Sequence, residues 1–76
     1  MASKHDLEQW IVNALSKHSK EASITEIAKH IWTNHEGELR AAGDLFYTWQ
    51  YDMRWAGQRL QKAGKLKKNS RSWSLI

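Results

Sequence analysis

Gln50, Arg54 and Gln58 recur at intervals of four residues, which places them along one edge of a helix. Arginine can hold guanine O6 and N7 through two hydrogen bonds, and glutamine can do the same at adenine N6 and N7. Tyr51 lies on the same edge and is the aromatic residue expected to stay in solvent. A helix carrying Gln50, Tyr51, Arg54 and Gln58 into the major groove can therefore read bases. Gln and Arg are also good, soluble helix formers, so the spacing alone fits a solvated face as well.

The neighbouring cations supply the second half of that chemistry. Lys67, Lys68 and Arg71 surround Asn69-Ser70, with Lys62 shortly before them. Cationic side chains and the neutral donors of Asn69 and Ser70 suit phosphate oxygens, which fix a protein on a duplex without reading its sequence. Lysines on an exposed edge strand also deter sheet-to-sheet aggregation, and both roles can hold at once. The overall charge of +4 is unevenly spread. Residues 1–38 carry four Lys/Arg against six Asp/Glu, whereas residues 39–76 carry eight against two. From Met53 onward there are seven basic residues and no acid. A one-sided field of this kind attracts polyanions.

Other chemistries find less support. The chain has no cysteine, which removes disulfides and cysteine-ligated zinc. His5, His18, His30 and His35 include no pair at the i, i+4 spacing of a helical metal site. Glu26 and His30 do have that spacing and are expected to form a surface pair. No nucleophile elbow or glycine-rich loop is present, so no catalytic residue, metal ligand or cofactor is assigned and no enzyme activity is expected. Five tryptophans could stack on single-stranded bases. Trp10, Trp32 and Trp49, however, fall on apolar helical stripes, and Trp73 is expected to pack inward, against Trp55. No apolar run approaches the roughly 18 residues of a membrane span, and the first residues lack a signal-peptide core. A soluble, cytoplasmic protein is the expectation.

The elements that must position these residues follow from periodicity. Leu7, Trp10, Ile11, Ala14, Leu15 and His18 line one face of a first helix over 4–18, started by Ser3 and Asp6 as a capping box. Ser23 and Glu26 make a second capping box, after a few residues that can be extended at Ala22–Ile24. The helix it starts, over 24–35, buries Ile24, Ile27, Ala28, Ile31 and Trp32, with Gly37 as its stop. Residues 36–43 read as a loop or a single helical turn around Leu39. A third helix over 48–63 buries Trp49, Met53, Ala56, Leu60 and Ala63. Gly57 on that face permits close approach, and Gly64 ends the helix. Beyond it, Leu66, Trp73 and Leu75 alternate with polar residues, predicting a two-stranded hairpin over 65–76 with Asn69-Ser70 at the turn. Residues 1–76 thus read as a single domain, mainly α with a small C-terminal β-hairpin. This is the order of a winged helix-turn-helix, three helices plus a wing.

The run Trp55-Ala56-x-x-x-Leu60-x-Lys62-Ala63-Gly64-x-Leu66, followed by Arg71-x-Trp73-x-Leu75, resembles the N-terminal domain of Mrr-type restriction endonucleases. Trp49 falls where that family usually carries an aromatic just ahead of its third helix. The resemblance covers residues 49–75 and implies a winged helix-turn-helix that docks a larger protein on DNA. The family's nuclease activity requires an Asp and a Glu-x-Lys-type pair on a sheet to hold Mg²⁺. This sequence has neither that spacing nor the strands to present it, so only the docking role carries over.

Double-stranded DNA is therefore the expected partner, bound by a small regulator or a DNA-docking module. The alternative is a winged-helix adaptor that binds protein, with Phe46, Tyr47 and Val12 contributing an apolar patch; RNA or single strands are a third choice. A domain this small gains specificity through a homodimer or a larger protein partner, and the sequence leaves both open.

Overall fold

The computed structural model describes residues 3–76. Its elements run α1 (Asp6–Lys17), β1 (Glu21–Ser23), α2 (Ile24–Arg40), α3 (Leu45–Lys62), β2 (Leu66–Lys68) and β3 (Ser72–Leu75). The strands form one antiparallel sheet in the order β1-β3-β2. Three helices with a C-terminal β-hairpin closing on a short first strand make a winged helix-turn-helix. Among the described residues no helix is long and apolar enough to cross a membrane.

The core sits where the three helical stripes meet the inner face of the sheet. Leu7, Ile11 and Leu15 of α1, Ile27 and Ile31 of α2, Met53 and Leu60 of α3, and Leu66 and Trp73 of the wing are all buried. Arg59 Nε donates to Glu8 Oε2 at 2.9 Å and ties α3 to α1 across the edge of this core. Only half of the expected capping box starts α1. The Asp6 carboxylate accepts from the Ser3 backbone N–H at 2.8 Å, but the N-cap position falls on His5, which makes no side-chain cap bond. After α1 the chain turns through Ser19 and Lys20, both left-handed. The Lys20 carbonyl accepts from the Leu75 N–H at 2.8 Å, joining that turn to the end of β3.

The second capping box is complete. Ser23 Oγ accepts from the Glu26 N–H at 3.1 Å, and the Glu26 carboxylate accepts from the Ser23 N–H at 2.9 Å. These bonds, the one from the Ser23 backbone foremost, hold the Glu26 carboxyl below its ordinary pKa of 4.5. A carboxylate whose pKa is depressed on folding stabilises the fold above its unfolded value, and that stability is lost as pH falls through the folded value. The melting temperature should thus fall as pH drops below 4.5, and Glu26→Gln should show a shallower fall. Identical acid limbs in parent and variant would mean that the cap contributes nothing to acid sensitivity.

Two helix boundaries differ from the periodicity. The second helix does not stop near His35 but bends there (φ −130°, ψ 19°) and continues to Arg40. The His35 ring lies flat on Trp10, 3.8 Å away, and the bend carries Leu39 into the core, where it is fully buried. The helical turn considered around Leu39 is therefore fused to α2. Gly37 is not left-handed; the reversal falls on Gly43 (φ 65°). The third helix starts at Leu45 rather than Thr48, because Leu45 extends the buried stripe of Trp49 and Met53 by one turn.

Candidate nucleic-acid interface

The face of α3 turned away from the core exposes Tyr47, Gln50, Tyr51, Arg54, Trp55, Gln58, Gln61 and Lys62, and no carboxylate. Asp52, the acid within α3, is half-buried and accepts a hydrogen bond from Thr48 Oγ1 at 2.7 Å. Gln50 and Arg54 are the sixth and tenth residues of α3, and it is the N-terminal part of such a helix that enters the groove in helix-turn-helix docking. Gln58 lies two turns beyond Gln50, about 12 Å along the axis, and is drawn toward the wing. Its Oε1 accepts from Lys68 Nζ at 3.3 Å. The expected reading edge thus divides into Gln50, Tyr51 and Arg54 at one end and a helix-to-wing contact at Gln58.

Strand parity separates the two adjacent lysines of the wing. Leu66 pairs with Leu75 and Lys68 with Trp73, while Lys67 pairs with Ser74. Opposed residues share a face, and successive residues alternate. Lys68 therefore lies on the helix side of the sheet, its ammonium 4.9 Å from the centre of the Trp73 ring. Partial burial there lowers its pKa from the ordinary 10.5. Lys67 lies on the opposite, solvent face, pointing away from α3. Asn69 and Arg71 are exposed at the hairpin tip, where the Asn69 N–H donates to the Ser72 carbonyl at 2.8 Å. Arg59, part of the basic stretch, is taken up by Glu8 and leaves the surface field. Among the described residues Arg54, Lys62, Lys65, Lys67, Lys68 and Arg71 have no ion-pair partner.

Two contributors were not singled out from the sequence. An open groove of about 530 Å³ runs between α2 and α3, and Thr25, Lys29, Gln50 and Arg54 form its polar rim. Its floor includes Trp32 and Trp49, stacked in parallel with ring centres 6.2 Å apart. Lys29 has no ion-pair partner among the described residues and adds a cation beside the reading end of α3. Thr25 and Lys29, four residues apart on the polar side of the second helix, were the available signal.

The aromatics redistribute as well. Trp73 packs on Gly57, where an added Cβ would come within 2.5 Å of the indole ring. It does not need Trp55, which is half in solvent and meets Tyr51 edge-on with ring centres 6.2 Å apart. The apolar patch considered for Phe46, Tyr47 and Val12 does not assemble. Val12 packs on the core, Phe46 tilts against Trp32, and only Tyr47 stands out.

Glu26 is committed to the Ser23 cap, and His30 instead meets His18 edge-to-face at 6.0 Å. Burial first, then the neighbouring His18 and His35, lowers the His30 pKa below its ordinary 6.5. Among the described residues no three His, Cys, Asp or Glu side chains gather as metal ligands. No family model, curated protein or solved structure matches this chain.

Proposed function

We propose that the protein binds double-stranded DNA, with the first ten residues of α3 in the major groove and the wing on the phosphates. The observation that carries this reading is the outer face of α3, whose exposed residues from Leu45 to Lys62 include no acid, Asp44 lying before them at the N-cap. Gln50 and Arg54 lie at its reading end, and the unpaired cations Lys62, Lys68 and Arg71 lie at its other end and on the adjoining wing. Arg54 and Gln50 read bases; Lys62, Lys68, Asn69 and Arg71 hold the backbone, with Lys29 of α2 beside the groove. The resemblance to the N-terminal domain of Mrr-type restriction endonucleases points the same way, toward a small regulator or a DNA-docking module. A protein-binding adaptor is the second reading, favoured by the exposed rings of Tyr47, Tyr51 and Trp55.

Substitution on the wing tests the proposal. Replacing Lys62, Lys68 and Arg71 together by Ala should flatten the salt dependence of duplex binding by up to about 2–3 units of log–log slope. Lys67→Ala, on the outer sheet face, should change it least. A triple variant that binds duplex as the parent does would place the contacts elsewhere. Lys67→Ala costing as much as Arg71→Ala would put DNA on the other side of the sheet.

A further inference from the structure

Four large hydrophobic side chains are exposed among the described residues, and three of them share one ridge of α3. Tyr47 is 84% exposed, Tyr51 64% and Trp55 51%; the fourth is Ile76, after β3. The three stand four residues apart, so the ridge extends about 12 Å along the helix. Their rings do not hang free. Phe46 meets Tyr47 edge-on at 5.0 Å and 74°, and Trp55 meets Tyr51 at 6.2 Å and 64°. Large rings left in water in this way mark a surface that is covered in use.

The chemistry beside the ridge indicates what covers it. Gln50 and Arg54 flank it toward α2, Gln58 and Lys62 continue it toward the wing, and from Leu45 to Lys62 the exposed residues include no carboxylate, Asp44 standing exposed at the N-cap before Tyr47. An apolar protein groove would have to desolvate those cations without compensation. A DNA major groove neutralises them at its phosphate walls, and its width of about 12 Å admits a helix. The apolar group that B-DNA presents there is the C5-methyl of thymine.

We propose that Tyr47 and Tyr51 read thymine methyl groups, with Trp55 bracing the Tyr51 ring, so that the domain prefers sites with thymines beside the bases held by Gln50 and Arg54. The assignment rests on the duplex-binding reading above. It is consistent with Gln50, since an adenine held through N6 and N7 is paired to a thymine whose methyl faces the same groove. The phenolic hydroxyls, at the polar tips of the rings, remain free for water.

The test uses the full chain and the duplex enriched by selection from a random pool, synthesised with thymine and with deoxyuridine replacing each thymine in turn. Removing one contacted methyl should weaken parent binding about fourfold, the effect of withdrawing one buried carbon from an apolar contact. In Tyr47→Ala or Tyr51→Ala, the same replacement should cost nothing further at the thymine that residue reads. Tyr51→Phe, which keeps the ring, should retain the parent's sensitivity. All three variants should melt with the parent, because these side chains are exposed.

Four results would overturn the assignment. They are a parent indifferent to deoxyuridine, equal sensitivity in parent and Ala variants, a selection that enriches no thymine, and a protein dimer that Tyr47→Ala dissociates in sedimentation. Failure to bind any duplex is a different result. It would remove the DNA-binding reading itself, and the thymine assignment with it.

Discussion

Trp73→Ala is expected to cost about 3–5 kcal/mol, the usual range for deleting a buried tryptophan. The side chain is 3% exposed and lies between the helices and the wing. A domain of this length has a total stability of only about 4–11 kcal/mol, so a single indole is a large share of it. The melting temperature should fall by at least about 12 °C.

Gly57→Ala gives the same contact a sharper test, because two effects oppose each other there. Helix propensity alone favours alanine by about 1 kcal/mol. The new Cβ, however, would stand 2.5 and 2.7 Å from two carbons of the Trp73 ring. That ring is rigid and buried and cannot yield cheaply; overpacking of this kind costs about 1–3 kcal/mol. The net sign should be destabilising. A higher melting temperature for Gly57→Ala, or an unchanged one for Trp73→Ala, would show that the wing does not pack on α3 as described.

Arg54→Ala and Arg71→Ala should separate reading from holding. A bidentate contact to guanine discriminates by roughly 1–3 kcal/mol, so Arg54→Ala should weaken a preferred site by up to about a hundredfold. It should weaken random duplex much less. Arg71, exposed at the hairpin tip, faces phosphate oxygens that carry no sequence information. Its loss should weaken both targets about equally and reduce the salt slope by about one unit. Gln50→Ala should follow Arg54→Ala. Gln58→Ala should follow neither closely, because its amide is bonded to Lys68. Arg54→Ala and Arg71→Ala behaving alike on every duplex would mean that α3 rests on backbone.

The fold was legible where an apolar stripe was continuous. Leu7 through Leu15, and Trp49 through Leu60, gave both the elements and their buried faces, and Leu66, Trp73 and Leu75 gave the wing. The end of α2 was not, because Gly37 looks like a stop. What carries the helix past it is a stacking of His35 on Trp10, a contact between elements that no local pattern encodes. Trp55 was misplaced for a related reason: the missing side chain of Gly57 leaves room for the Trp73 ring, and Trp55 is left outside.

In the candidate site, the placement of Gln50, Tyr51 and Arg54 on one exposed face followed from helical spacing. The opposed orientations of Lys67 and Lys68 were implicit in the alternation that starts at buried Leu66. The withdrawal of Arg59 by Glu8 joins residues 51 apart in the chain and lay beyond any local signal. The early start of α3, which brings Tyr47 onto the ridge, was by contrast legible in the i, i+4, i+8 spacing of Leu45, Trp49 and Met53.

The central claim is that this surface holds a polyanionic duplex, and the most direct measurement is the affinity for random duplex DNA over a series of salt concentrations. Neutralising about four phosphates should give a log–log slope of roughly −3.6. A steep negative slope near that value is the expected result. No duplex binding at low salt, or binding that stays flat as salt rises, would contradict the claim and favour a protein partner for the exposed face of α3.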